Sequence, residues 1–336
     1  MNNRKYIIIG AGAAGTAAAR TVRQTDPGAE VVLLGEERFF PYNRFLLTDF
    51  LCGTVSEEPL IYMSAETFLE MGVVFRKGEY VKSIEPAEKV IRLSHNEVLP
   101  YDKLLIATGG TPGLGPVLQP FQEHIRRYYA LEDVYLLKRR LHQIETCIVF
   151  GDGPSSLDLL RGLTATGKKV TYIYKGARPD WFLTDTALYD DLQALLLERG
   201  VELIAEDRII SIEKRERGYH VLTFKQRELT ADVVFAWDHY QPNLSIIKGT
   251  GIESKLGILV DEYMRTSVED IYAAGDCVEI YHPKLKNYWI NFGWPNALAQ
   301  GAAAGKNMAG GREKYNIRET IVLNLMGKPV RARWWK

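Results

Sequence analysis

Residues 6–15 read Tyr6-Ile7-Ile8-Ile9-Gly10-Ala11-Gly12-Ala13-Ala14-Gly15, and this stretch decides the fold. An apolar run of strand character meets three glycines in the spacing G-x-G-x-x-G, and a small-residue helical stretch follows. Val31-Val32-Leu33-Leu34 is then a second strand, ending just before Glu36. Strand, turn, helix, strand and acid in this order form a βαβ dinucleotide site. The first glycine makes the tight turn, the second lets backbone N–H groups approach a pyrophosphate, and the third lets helix and strand pack closely. The acid expected ~20 residues on receives a ribose hydroxyl. Glu36 is expected in that place, with Glu37 as the alternative.

A second turn, Gly151-Asp152-Gly153-Pro154-Ser155-Ser156, sits between the strand Thr146-Cys147-Ile148-Val149-Phe150 and another helix. Two such turns predict an α/β chain of two Rossmann-like, three-layer nucleotide-binding domains, the second inserted in the first. Alternating bursts in 73–99 and 208–229 read as an antiparallel meander in each domain. Leu104-Leu105-Ile106-Ala107 and Val233-Val234-Phe235-Ala236 are buried strands that close the two domains. Ile271-Tyr272-Ala273-Ala274-Gly275-Asp276 is a strand with an acid at its carboxyl end, and a small-residue helix follows from Asn296 to about Ala309. The expected division is 1–112 with 243–311 for the first domain, 113–242 for the second, and 312–336 as a tail.

The composition, 46% hydrophobic and 25% charged, is that of a globular chain, and 42 basic against 42 acidic residues argue against affinity for nucleic acid or an anionic membrane. No apolar stretch reaches the ~18 residues that a membrane span needs. The basic start and apolar run imitate a leader peptide, but that run carries the first glycine turn. Cys52, Cys147 and Cys277 form no CxxC pair, which fits a reducing, cytoplasmic compartment. His95, His124, His142, His220, His239 and His282 show no metal-ligand spacing, so no metal is expected.

Further marks accompany the turns: Pro41-Tyr42-Asn43-Arg44, Ala107-Thr108-Gly109, Ala274-Gly275-Asp276, and Trp294-Pro295 opening a helix that contains Gln300-Gly301. With them the chain resembles the two-dinucleotide flavoproteins of the pyridine nucleotide–disulfide oxidoreductase fold, in the branch of rubredoxin reductases, dioxygenase ferredoxin reductases and the flavin part of assimilatory nitrite reductase. The resemblance implies FAD extended over the first domain. Gly10, Gly12, Ala14 and Gly15 would take the pyrophosphate, Glu36 or Glu37 the ribose, and Arg44 a phosphate or the flavin edge. Thr108 and Gly109 would lie beside the cofactor, with Gly275 and Asp276 at the ribityl chain. The helix start at Trp294, Pro295 and Asn296 would face the N1–C2=O edge of the flavin, where a helix N-terminus favours negative charge. The implied activity is FAD-dependent oxidoreduction between NADPH or NADH and a small redox protein or iron–sulfur enzyme subunit. Disulfide reductases of this fold carry a cysteine pair after the first βαβ unit. Here that stretch reads Tyr42-Asn43-Arg44, and the isolated Cys52 reads as structural, so electrons would leave without a redox-active disulfide.

The second site is less regular. Gly151, Gly153, Pro154, Ser155 and Ser156 would hold NAD(P), with Ser156 in place of the third glycine and Asp158 where a helical Glu is expected. The next strand ends in Tyr174-Lys175, with Arg178 nearby. A basic pair there suits the 2′-phosphate of NADPH; as solvated loop charges the two would have no such role. Ala236-Trp237-Asp238 stands where relatives carry Ala-Thr-Gly, and the larger side chains could obstruct a nucleotide. The alternatives are therefore an FAD electron-transfer subunit with a non-functional nicotinamide site, or a non-enzymatic FAD-bound interaction protein. No catalytic residue is certain; Arg44 and Asp158 are candidates near the flavin, Asp158 being equally readable as a helix-surface residue.

Relatives continue into an interface domain that builds a dimer and roofs the flavin. On the resemblance, 312–336 is a remnant of it, with seven basic residues (Arg312, Lys314, Arg318, Lys328, Arg331, Arg333, Lys336) against Glu313 and Glu319, and Trp334-Trp335 near its end. It reads either as a strand on the FAD domain or as a docking element for an acidic partner. The oligomeric state is left open.

Overall fold

The computed structural model describes residues 4–179, 187–282, 284–317, 321–325 and 328–332. Its first sheet is parallel, with strands in the order Ile271–Ala273, Lys103–Ile106, Lys5–Ile9, Glu30–Gly35 and Val74–Lys77. The central strand pairs Ile9 with Leu34 on one side and Ile106 on the other. The helices Ala13–Thr25 and Trp294–Met308 pack side by side on this sheet, and Val81, Ile84, Ile91 and Leu93 join its core; buried on both faces, these strands are continuous Ile, Leu and Val runs rather than alternating ones. Val74–Lys77 belongs to this sheet as its edge strand, not to the meander expected over 73–99. Phe75 of this strand stacks on Phe68, ring centroids 4.6 Å apart, so a half-covered parallel edge carries the same alternation as a hairpin. The meander itself is Val81–Glu85, Val90–Leu93 and Val98–Pro100.

Helices α1 (Ala13–Thr25), α2 (Leu47–Cys52) and α3 (Ala65–Met71) precede the second unit, which holds α4 (Leu131–Arg140), α5 (Pro154–Ala165) and α6 (Ala187–Glu198); α7 (Trp294–Met308) returns to the first. The second sheet is also parallel, in the order Glu202–Ile204, Lys169–Ile173, Thr146–Phe150, Val233–Ala236 and Ile125–Arg126. Its antiparallel meander is Ile209–Lys214, Tyr219–Thr223 and Glu228–Ala231. The chain leaves the first unit along Gly110–Gly113 and comes back along His239–Pro242, and these two segments pair antiparallel as one ribbon.

Small residues have a purpose in α1 and α7. A β-carbon at Gly301 would stand 2.0 Å from the Ala14 carbonyl oxygen, and one at Gly305 would stand 2.6 Å from that of Ala18. The two helices therefore meet backbone to backbone, which only glycine permits.

The segment expected as a tail from Arg312 begins against the first unit. Tyr315 is only 7% exposed, and its hydroxyl donates to Asn291 Oδ1 at 2.5 Å. Lys314 pairs with Glu262 at 2.8 Å. Residues 312–317 are thus stitched into the first unit. Beyond them Ile321–Leu325 and Lys328–Ala332 pair as a hairpin. Its first strand lies against α5 of the second unit. Arg318, Arg333, Trp334, Trp335 and Lys336 lie outside the described residues.

Candidate functional site

Ligands of open α/β sheets sit where neighbouring strands lead off in opposite directions, beyond the carboxyl ends of the strands. In the first sheet that point lies between Lys5–Ile9 and Lys103–Ile106. Gly10 has φ +107°, and a β-carbon there would meet the Ala107 carbonyl oxygen at 2.1 Å. At Gly15 it would meet the Gly10 carbonyl oxygen at 1.8 Å. Both glycines are demanded by the turn itself. Gly12 and Gly109 differ, because nothing lies within 4 Å of a β-carbon built at either. They face open space on the two sides of the crevice. No side chain caps α1 at Gly12 and no acid lies in its first turn, so its leading amides, that of Ala14 among them, can serve a ligand. Thr108 is pinned from the returning chain: its hydroxyl donates to the Asn243 carbonyl at 2.8 Å, and the Asn243 amide donates to the Thr108 carbonyl at 2.9 Å.

The opposite wall comes from the last strand and α7. The Gly275 N–H donates to Gln300 Oε1 at 2.7 Å inside the core. Asp276 accepts from the Gly293 N–H at 3.1 Å and from the Tyr240 hydroxyl at 2.9 Å. Burial raises the Asp276 carboxyl above its ordinary range, and the Tyr240 bond opposes that shift. Like α1, α7 starts at a glycine, Gly293, without a side-chain cap or an acid in its first turn. Two uncapped helix N-termini thus belong to one unit. Pro295 fits the first turn, where its missing N–H costs nothing. Asn296 is buried and donates to the Phe292 carbonyl at 2.7 Å. Trp294 stands edge-on to Tyr62 at 5.3 Å and near the half-exposed Phe45 at 6.2 Å. A cavity of about 490 Å³ opens beside them, lined by Thr16, Arg20, Asn43, Tyr62, Trp294 and Leu298.

Arg44 and Glu37 are brought together, which sequence reasoning did not foresee. The guanidinium bonds Glu37 Oε1 at 2.5 Å and donates to the Tyr129 carbonyl at 2.8 Å. It lies 4.4 Å from the Tyr129 ring centroid and 5.1 Å from that of Tyr42. Tyr42 completes the cluster by donating to Glu37 Oε2 at 2.7 Å. Glu37 is therefore the counter-ion of Arg44, while Glu36 is exposed at the end of its strand. Tyr129, Tyr240 and Asn243 were missed, because their partners are distant in sequence and no spacing marks them. Only the turn signal Pro242-Asn243 could have drawn attention to that loop.

The second turn repeats the first up to one position. The Trp237 N–H bonds the Phe150 carbonyl at 3.0 Å, as the Ala107 N–H bonds that of Ile9 at 2.7 Å. Trp237 thus corresponds to Ala107, and Asp238 to Thr108, one residue away from the alignment expected from sequence. Trp237 is 8% exposed. Its Nε1 donates to the Asp152 carbonyl at 3.1 Å. A β-carbon at Gly151 would stand 2.8 Å from that Nε1 and 2.7 Å from the Trp237 carbonyl oxygen. Ser156, in place of the third glycine, is buried and donates to the Gly151 carbonyl at 2.7 Å. Gly153 is in the left-handed region at φ +104° and heads α5, with Pro154 and the exposed Ser155 in its first turn. Lys175 pairs with Asp238 at 2.8 Å, and Arg178 with Asp190 at 3.0 Å. Each cation thus has an acidic partner within the chain, while both remain about half exposed.

Asp158 lies at the contact of α5 with α2, neither on an open helix surface nor free. It accepts from the Thr48 hydroxyl at 2.5 Å and from Arg161 at 3.0 Å, and burial raises its carboxyl. Cys52 faces the Gly162 carbonyl across the same contact, and burial raises its thiol. Among the described residues no cluster of His, Cys, Asp and Glu could hold a metal ion, and no helix is long and apolar enough to cross a membrane.

Residues 4–301 match the family described as pyridine nucleotide-disulphide oxidoreductase. The chain is 27% identical to the 3-phenylpropionate/cinnamic acid dioxygenase ferredoxin–NAD(+) reductase component of Photorhabdus laumondii, over 92% of this chain and 79% of that protein. It is 28% identical to the rubredoxin–NAD(+) reductase of Acinetobacter baylyi, over 82% of this chain and 72% of that protein. The reductase in the covalent putidaredoxin reductase–putidaredoxin complex shares the fold, with a TM-score of 0.86 at 24% identity over 96% of this chain and 78% of that one. Glycine turns, parallel sheets and profile agree, and the chain belongs to the pyridine nucleotide-disulphide oxidoreductase family of FAD-dependent oxidoreductases.

Proposed function

We propose that the chain is an FAD-dependent oxidoreductase that passes electrons between a nicotinamide nucleotide and a small redox protein or an iron–sulfur enzyme subunit. The observation that carries the reading is the first crevice, open at Gly12 and Gly109 and built in the unit that contains both uncapped helix N-termini. These residues fit FAD: a phosphate-accepting turn, an exposed acid at Glu36, a buried acid at Asp276 and a second helix pole at Trp294, Pro295 and Asn296. In this reading 1–112 with 243–311 form the FAD-binding domain and 113–242 the nicotinamide-binding one. When bound, FAD supplies a two-electron acceptor that can release electrons singly.

The residues divide the work of holding it. The leading amides of α1 meet the pyrophosphate, and Gly12 keeps the approach free of side chain. Glu36 accepts the ribose hydroxyl, since Glu37 is committed to Arg44. Asp276 accepts a ribityl hydroxyl in exchange for, or beside, the Tyr240 hydroxyl. The α7 N-terminus favours negative charge next to it, which eases reduction. Arg44, gripped by Glu37 and two rings, is a fixed cation at the junction of the two units. With Cys52, Cys147 and Cys277 all free, a reducing cytoplasm suits the protein.

Anaerobic stopped-flow mixing tests the reading. The purified yellow protein should bleach with NADPH or NADH, and should recover on adding oxidised ferredoxin or rubredoxin. NADPH should be preferred by about one to two decades, the worth of a charge-assisted contact of roughly 1.5–3 kcal/mol. Replacing Lys175 and Arg178 together by Ala should narrow that preference. The packing of Trp237 favours a second reading, an FAD subunit that exchanges electrons with proteins on both sides. Absence of bleaching by either nucleotide decides for it.

A further inference from the structure

Trp237 stands where a dinucleotide would have to lie. Thr146–Phe150 leads through α5 to one side of its sheet and Val233–Ala236 lies on the other, so the crevice between their carboxyl ends is the second nucleotide position. In the first sheet the residue entering this place is Ala107, and the crevice is open. In the second it is an indole that bonds the Asp152 carbonyl and touches Gly151. The ring therefore lies against the turn that leads into α5.

The next residue adds a latch. Asp238 accepts from the Gly115 N–H at 2.8 Å and pairs with Lys175 at 2.8 Å. A carboxylate therefore replaces Thr108 of the first crevice and would repel a phosphate. Lys175 is also the cation best placed in sequence to meet a 2′-phosphate, so holding Asp238 and binding that phosphate compete for one ammonium group.

We propose that Trp237, latched by Asp238 and Lys175, is a gate that determines nicotinamide-nucleotide access to the second turn. The indole occupies the pyrophosphate position at rest and must leave it before a dinucleotide enters. Apparent affinity is then lowered by the fraction of molecules whose gate is open. A 2′-phosphate draws Lys175 from Asp238, so NADP+ opens the gate more readily than NAD+. This deepens the reading of the second domain as a nicotinamide site and rests on it, but binding of the oxidised nucleotide can be measured without any flavin turnover.

The experiment titrates the FAD-loaded protein with NADP+ by calorimetry, comparing wild type, Trp237→Ala, Trp237→Phe and Asp238→Asn. The gate requires about tenfold or more tightening in Trp237→Ala, which restores the residue of the first crevice, with flavin content unchanged. Trp237→Phe keeps the bulk and stays near wild type. Asp238→Asn frees Lys175 without emptying the pocket, tightens binding several-fold, and serves if the alanine variant fails to fold. Equal or weaker binding in Trp237→Ala or in Asp238→Asn overturns the gate, as does the absence of binding in every variant. Tight binding in the variants without bleaching by NADPH upholds the gate and defeats the proposed electron transfer instead.

Discussion

Gly10 rests against the carbonyl of Ala107, and Gly151 against the carbonyl of Trp237, in the same register at the same edge of two parallel sheets. The glycines are alike; the residues that face them are not. In one crevice a methyl group and a pinned threonine leave room beside Gly12 and Gly109. In the other an indole and an ion-paired aspartate take it up. A glycine turn therefore records how the chain bends, while the vacancy above it is decided by a strand contributed from far along the sequence. The helices following the turns differ in the same sense. α1 meets α7 through backbone, whereas α5 meets α2 through side chains.

The largest effect should come from filling the open turn. Gly12→Asp has space for its side chain but sets a carboxylate at the pyrophosphate position. The purified variant should lose its flavin absorbance while far-ultraviolet circular dichroism stays native, and a yellow variant would place the cofactor elsewhere. Next come the two helix contacts. Gly301→Ala drives a methyl into the Ala14 carbonyl and should cost about 3 kcal/mol or more, with a clear fall in Tm. Gly162→Ala meets the Thr48 Cγ2 atom at 2.9 Å, a side chain that can turn, and should cost about 1–1.5 kcal/mol. Equal losses in thermal unfolding would dissolve the distinction between the two contacts.

A smaller effect separates α5 from α1, which carries Ala17 at the offset where α5 carries Asp158. Burial raises the Asp158 carboxyl above its ordinary 3.8, so the native state keeps a proton that the unfolded chain releases. Stability should then fall as pH rises from 3.8 through the raised native value, and level off above it. Asp158→Asn should remove that part of the slope in urea titrations made across acid pH. An unchanged slope would mean the carboxyl is not the group responsible.

Both turns, the strand–turn–helix units they open and the returning Ala274-Gly275-Asp276 segment were legible, because they rest on local geometry that only certain residues satisfy. The edge strand Val74–Lys77 was not, since alternation reports one covered face without saying which neighbour covers it. Trp237 reads as an obstacle from sequence but one residue out of register, because register is a property of pairing and not of composition. Glu37 read as a second choice for the ribose; its partner Arg44 lies seven positions on across a turn whose path the sequence does not disclose. Tyr315 read as tail because a single aromatic among charges gives no periodicity, although its hydroxyl completes the Asn291 contact.

The meeting of Gly301 and Gly305 with α1 has a mechanical side. Where backbone touches backbone there is no side chain to repack and little slack, so α1 and α7 behave as one stiff strut. Because Gly301 meets Ala14 and Gly305 meets Ala18, the two helices run in the same direction, and their N-terminal poles face the same way at a fixed offset. The second unit is joined to this strut through the chain that passes along the paired segments Gly110–Gly113 and His239–Pro242.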